Sequence, residues 1–242
     1  MTSLIKYLFL LIIITGKSII AGPPFDTDDP EPVDYLHWEF YVASAYQYGT
    51  HTFDGTLPHV EVNYGPVKNI QIHLLTGMGY AKDNSEKQYG YMTAELGAKY
   101  RFINTKDGFQ AGTFPLVELP TTNKMNLVGN RNLQVFIPIW LQKSWGKFTT
   151  YGGSGYWINP GSDNKNWIFT GWEAQYDFSN VLTLGGEIFY QTANTRDGTS
   201  DVAFKAGGFV NINDENHILF SFGKSLKTND NFSGYIGYQL TI

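Results

Sequence analysis

The stretch Tyr91–Phe102, YMTAELGAKYRF, alternates without a break. Met92, Ala94, Leu96, Ala98, Tyr100 and Phe102 fall on one side of an extended chain. Thr93, Glu95, Gly97, Lys99 and Arg101 fall on the other. A period of two marks a strand, because successive side chains leave opposite faces. The polar side holds isolated charges among small residues, and the apolar side has no charge at all.

The same alternation recurs on both sides of this stretch. In His37–Gln47, Trp38, Phe40 and Val42 oppose His37, Glu39 and Tyr41. In Pro58–Tyr64, Val60, Val62 and Tyr64 oppose His59, Glu61 and Asn63. Asn69–Leu75 sets Ile70, Ile72 and Leu74 against Asn69, Gln71 and His73. Leu133–Lys143, Trp167–Phe178, Leu182–Thr192 and Val202–Ile212 repeat the pattern. Phe148–Ile158 is Gly-rich, and His217–Lys224 and Phe232–Ile242 complete the set. Phe109–Leu119 is ambiguous, since Pro115 predicts a bulge or a weak pair.

The connections alternate as well. Tyr48–Thr56, Ala81–Tyr89, Pro120–Arg131, Asn159–Asn166, Ala193–Ser200 and Leu226–Asn231 read as long. Gly65–Lys68, Asn104–Gly108, Ser144–Lys147, Ser179–Val181 and Asn213–Asn216 read as short. A soluble β-sandwich also has dyad strands, but it has no reason to keep one end short. An outer-membrane barrel does, with tight periplasmic turns and longer external loops. The expected fold is therefore all-β: a transmembrane, antiparallel, up-and-down β-barrel of about twelve strands, with ten or fourteen also compatible with the spacing. Aromatic residues near strand ends, Trp38 among them, are expected to form interfacial girdles, and Trp172 is expected to be a further interfacial anchor.

Composition fits this reading. The 242 residues carry 16% charged and 16% aromatic side chains, 26 glycines and no cysteine. The lack of cysteine excludes a disulfide framework and a thiolate metal site. The formal net charge of −5 gives no basis for nucleic-acid binding. Residues 1–21 read as a secretory signal, with Lys6 before the apolar run Tyr7–Thr15 and a small residue, Ala21, at the cleavage point. That run is too short to span a bilayer as a helix. Residues 22–35 are Pro- and Asp-rich, and their four prolines forbid a central strand. This tail either lies free in the periplasm or tucks into the barrel mouth. Asp26, Asp28 and Asp29 are oxygen donors of the type that binds Ca²⁺, but they lack the spacing of a complete ligand loop and read as a solvated acidic turn. The barrel is expected over residues 36–242. Its last strand places Gly237, Leu240 and Ile242 where the barrel-assembly machinery reads a C-terminal signal.

Several segments carry a family resemblance: AGPPFDTDDPEP (Ala21–Pro32), HWEFY (His37–Tyr41), PHVEVNYG (Pro58–Gly65), ELGAKYRF (Glu95–Phe102), VELPT (Val117–Thr121), QVFIPIWLQKSWG (Gln134–Gly146), TTYGGSGYWINPG (Thr149–Gly161), GGEIFYQT (Gly185–Thr192) and GYIGYQLT (Gly234–Thr241). They resemble the "MetA-pathway of phenol degradation" family. The resemblance implies a Gram-negative outer-membrane barrel of transporter type, and it brings no catalytic motif and no cofactor.

The polar strand faces supply the candidate lumen: Glu39, His59, Glu61, His73, Glu95, Lys99, Arg101, Trp140, Glu173, Glu187 and Lys205, with Tyr41, Phe136, Tyr151 and Trp157 sharing it. His59, Glu61 and His73 share one polarity on neighbouring strands. Lumen hydrogen bonding is the reading preferred there over a metal site. An outer-membrane lipid hydrolase would be expected to show His-x-Ser on one strand, and no histidine here has a serine two residues on. The expected function is a monomeric passive channel for small solutes, aromatic or hydrophobic ones included, with outer-membrane lipids and the assembly machinery as partners. A structural or surface-interaction barrel is the alternative, and a lipid-modifying enzyme the third reading.

Overall fold

The computed structural model describes residues 23–49, 51–121, 128–227 and 231–242. The leader expected at residues 1–21 lies outside them. The strands are β1 (Trp38–Tyr48), β2 (Thr52–Val67), β3 (Ile70–Asp83), β4 (Glu86–Tyr91), β5 (Ala94–Asn104), β6 (Phe109–Thr113), β7 (Leu116–Leu119), β8 (Gln134–Trp145), β9 (Phe148–Ile158), β10 (Trp167–Asp177), β11 (Leu182–Gln191), β12 (Asp201–Asn211), β13 (Asn216–Ser225) and β14 (Phe232–Thr241). Among the described residues no helix is long and apolar enough to cross a membrane.

The ring has twelve positions. β4 leads into β5 and β6 into β7, and each pair occupies one position. Pro115 sits in the β6–β7 break, as its missing N–H requires. β1 pairs antiparallel with β14, which closes the sheet on itself. Closure leaves no edge strand, the condition for a sheet to sit in lipid.

The outward face is apolar along the band. Val42, Ile72, Leu74, Leu96, Ile137, Ile139 and Ile188 are all exposed. Alternate positions on the same strands, such as Tyr41, Gln71, His73, Trp140 and Glu187, are buried. An ordinary soluble core inverts this arrangement. Trp38, Trp145, Phe148 and Phe178 ring the short-turn end. Trp172 departs from the expected girdle and lies in the middle of β10, opposite Gly152. A Cβ on Gly152 would come within 2.5 Å of the indole, so the glycine makes the flat side chain's position there available. The Trp172 Nε1–H donates to Thr150 Oγ1 at 2.8 Å.

Two connections expected to be long are mostly strand. β1 runs to Tyr48 and β2 resumes at Thr52, while β3 runs to Asp83 and β4 resumes at Glu86. Polar and glycine residues interrupt the apolar alternation in these hairpins, so the dyad signal fades even though the ladder continues through Thr52↔Asp83 and Asp83↔Glu86. At the other end, β2 and β3 are joined by Lys68 and Asn69, with Asn69 at a φ of 66°. Asn tolerates the left-handed region that tight hairpins demand.

Candidate functional site

The bore is not empty. Pro23–Asp34 precedes β1 and lies inside the ring, with Pro24, Thr27, Asp29 and Pro30 fully buried. The solvated acidic turn expected at Asp26, Asp28 and Asp29 is thus a packed element. An acidic stretch is stable in such a place only with partners, and the barrel wall supplies them. Lys99 Nζ donates to Asp28 Oδ1 at 2.9 Å and lies 3.8 Å from Asp29 Oδ1. Lys205 Nζ donates to Asp26 Oδ1 at 2.5 Å. Arg101 Nη1 is 3.4 Å from Glu31 Oε1. Gln110 and Gln142 each donate to Glu31 Oε2 at 3.1 Å.

The wall also holds the segment's backbone. Glu187 accepts from the N–H of Asp26 at 2.9 Å and of Thr27 at 2.8 Å. Gln71 Oε1 accepts from the Val33 N–H at 3.0 Å, and Ser221 Oγ donates to the Pro24 carbonyl at 2.6 Å. Gly171 of β10 lies beneath Thr27, where a Cβ would meet Thr27 Oγ1 at 2.1 Å. Any larger residue at 171 would push the segment off that wall.

A second cluster lies on β1–β5. His73 is 97% buried, and both its ring nitrogens are engaged: Nδ1 with Asn63 Oδ1 at 2.8 Å, Nε2 with Glu95 Oε1 at 3.0 Å. Glu61 Oε1 accepts from Asn63 Nδ2 at 2.8 Å and stands 3.5 Å from His73 Nδ1. His59 Nδ1 contacts Thr56 Oγ1 at 2.6 Å, and Glu39 accepts from the Tyr41 hydroxyl at 2.9 Å. With both ring nitrogens committed to oxygen acceptors, His73 is held as a hydrogen-bonding node. His217 Nδ1 meets Asn211 Oδ1 at 2.9 Å. These three histidines are thus held by threonine, asparagine and, for His73, glutamate side chains.

The opposite wall is aromatic. Trp167 stacks on Trp157 at 5.3 Å between centroids, Trp157 on Phe136 at 4.8 Å, and Phe169 on Phe189 at 5.6 Å. Trp140 joins them, edge-on to Phe169. Glu173 lies apart from the ion pairs: it is fully buried, and neither carboxylate oxygen has a hydrogen-bond partner among the described residues.

The sequence-expected residues thus form distinct groups. His59, Glu61, His73 and Glu95 meet on one wall, with Glu39 beside Tyr41. Lys99 and Arg101 meet one end of the inner segment, and Glu187 and Lys205 the other. Trp140 belongs to the aromatic wall. Asp26, Asp28 and Asp29 had been read as a solvated acidic turn, and Glu31, Gln71, Gln110, Gln142 and Ser221 were not among the lumen candidates. The signal for the acidic residues was complementarity, an acidic tail and a wall with three inward cations, while the period of two already put Gln71 on the inward side. A cavity of about 160 Å³ remains between the segment and the charged wall, lined by Phe25, Asp28, Glu61, His73, Glu95 and Lys99. A polar cup of about 300 Å³ lies at the long-loop end, lined by Asn130, Arg131, Asn132, Asp163 and Asn164.

No family model matches this chain, and no curated protein does. Solved structures do match. The KdgM porin aligns with a TM-score of 0.58 at 9% identity, covering 83% of this chain and 98% of that one. The NanC porin aligns with a TM-score of 0.56 at 10% identity, over 83% and 98%. The translocator domain of autotransporter NalP from Neisseria meningitidis aligns with a TM-score of 0.55 at 14% identity, over 86% and 89%. At such identities the likeness speaks for the fold alone. With the closed ring and the apolar outer band, it establishes the architecture: a twelve-position antiparallel β-barrel of the outer-membrane type.

Proposed function

We propose that the chain is a monomeric outer-membrane channel for small solutes, closed at rest by its own Pro23–Asp34 segment. In this reading residues 1–21 direct export, the short-turn end faces the periplasm and the longer loops face outward. One observation carries it: the material across the bore is a segment ahead of the first strand, held by side-chain pairs to the wall, and none of its residues is a strand of the sheet. Such a stopper can leave without breaking the ladder. The apolar outer band supports a lipid setting. The aromatic wall favours planar or hydrophobic solutes, since rings stack on rings.

A structural barrel that passes nothing is the second reading, and the self-stacked aromatic wall favours it. Planar-bilayer recording separates the two. The native chain should give little current. The full chain carrying Asp26→Asn, Asp28→Asn and Glu31→Gln should conduct, because each substitution removes a charge partner from Lys205, Lys99 or Arg101. A folded triple variant that passes no current would leave the structural reading in place.

A further inference from the structure

The inner segment is gripped in two ways, and together they identify what the wall recognises. Lys205, Lys99 and Arg101 meet carboxylates at positions 26, 28 and 31. Independently, Glu187, Gln71 and Ser221 bond to amide N–H and carbonyl groups of the main chain, at Asp26, Thr27, Val33 and Pro24. Carboxylate recognition alone would suit any polyacid. The amide contacts are specific to peptide. Glu187 adds to this: an acidic side chain inside a site for acids repels a free anion, yet it suits a ligand that presents two adjacent N–H groups beside its carboxylates. Prolines at 23, 24, 30 and 32 remove donors that a dry bore could not satisfy.

We infer that the bore contains a binding site for an extended, proline-containing acidic peptide, occupied in this structure by the chain's own segment. The segment is then a tethered competitor. An external peptide with alternating carboxylates and prolines is the ligand class the vacated wall accepts. Tethering gives the internal copy an effective concentration in the millimolar range, so a peptide in solution binds only once the native segment is weakened. The inference deepens the channel reading, but its test reads binding rather than current, so the two can fail separately.

The test uses the full chain with Asp26→Asn, Asp28→Asn and Glu31→Gln, folded in detergent and checked by heat-modifiable gel mobility. A fluorescein-labelled peptide of residues 23–34, PPFDTDDPEPVD, is titrated in and followed by anisotropy. Saturable binding is expected. It should weaken by about tenfold or more when the peptide's acids at positions 26, 28 and 31 become amides, and similarly when Lys99→Gln is added to the barrel, as lost charge-assisted hydrogen bonds dictate. Tri-galacturonate at equal carboxylate concentration should not displace the peptide. No saturable binding, or equal binding of the amide peptide, overturns the inference. Displacement by the acidic sugar overturns the peptide assignment in favour of a general polyacid site. Should the triple variant not fold, the native chain with a protease site placed between Tyr35 and Leu36, both exposed, is cut after folding. Its freed segment should exchange for labelled peptide, and failure to exchange overturns the inference equally.

Discussion

The two halves of the bore satisfy their interiors in opposite ways. Along β8–β11, Phe136, Trp140, Trp157, Phe169 and Phe189 fill space by packing on one another. Along β1–β5, Glu61, Asn63, His73, Glu95 and Lys99 point into the same interior and cannot be left dry and unpaired. Some of them pair among themselves, and Lys99 reaches for the inner segment. The comparison teaches where a barrel of this size can be opened. The rings along β8–β11 satisfy one another, whereas a charge such as Lys99 requires a partner from outside the wall, and a required partner can be exchanged.

The sharpest way to break this comparison is in the aromatic half. Trp140→Ala should cost about 3–5 kcal/mol, the usual range for removing a large buried ring. It should lower the temperature at which the folded gel band is lost and leave the native chain's low current unchanged. An unaltered midpoint would mean that the rings are not a packed core, and the distinction between the halves would fall.

A second test asks whether the halves differ only inside. Leu96 lies behind the charged wall and Ile139 behind the aromatic wall, and both are exposed on the apolar band. Leu96→Arg and Ile139→Arg should each impair assembly by a similar amount, about 2–4 kcal/mol near the midplane. Folded yield after refolding into lipid vesicles reads this directly. A large loss at one site and none at the other would mean that the lipid belt does not encircle the ring evenly.

The smallest expected effect lies at the short-turn rim, where the charged half meets the aromatic half. Lys143 of β8 donates to Asp107 in the β5–β6 turn at 2.7 Å. The hydrogen bonds from Lys143 and Thr105 pull the Asp107 carboxyl down from 3.8 to about 2. A lowered carboxylate favours the folded state above its ordinary range, and that contribution is lost as pH falls through the lowered value. Asp107→Asn should therefore lower the melting midpoint slightly at pH 7, with parent and variant converging near pH 2. A gap that persists in acid would mean the turn depends on the shape of Asp107 and not on its charge.

Much of this was legible in the sequence for a plain reason. In a barrel the period of two separates lipid from lumen at each position, so Leu96 and Lys99 declare their sides locally. Pro115 likewise marked the break between β6 and β7. The hairpins β1–β2 and β3–β4 misled, because polar and glycine residues such as Gly49, Asp54, Gly55, Lys82 and Glu86 interrupt the apolar alternation while the ladder runs on. The mid-strand position of Trp172 depended on Gly152 of a neighbouring strand, a pairing set by register and not by local pattern. For the inner segment, the sequence left open whether it lay free or tucked into the barrel mouth, and it did not show the pairs that hold it. Its prolines excluded a strand, but the bond from Lys99 to Asp28 joins positions 71 residues apart, and nothing local to either residue states it.

The joint between β1 and β14 has a consequence for time. Trp38 and Ile242 exchange hydrogen bonds at 2.7 and 2.9 Å, so the first strand and the last residue of the chain are neighbours. Few contacts could have a higher contact order, and such joints form late and slowly. The segment that fills the bore is attached directly ahead of β1. While the joint is open, the half-made sheet can fold around that segment from the side. Once it shuts, the same residues would have to enter end-on, with Phe25 and the prolines passing the rim. Whether the bore starts its life stoppered is thus a race between capture of a short acidic segment and the final zipping of the sheet.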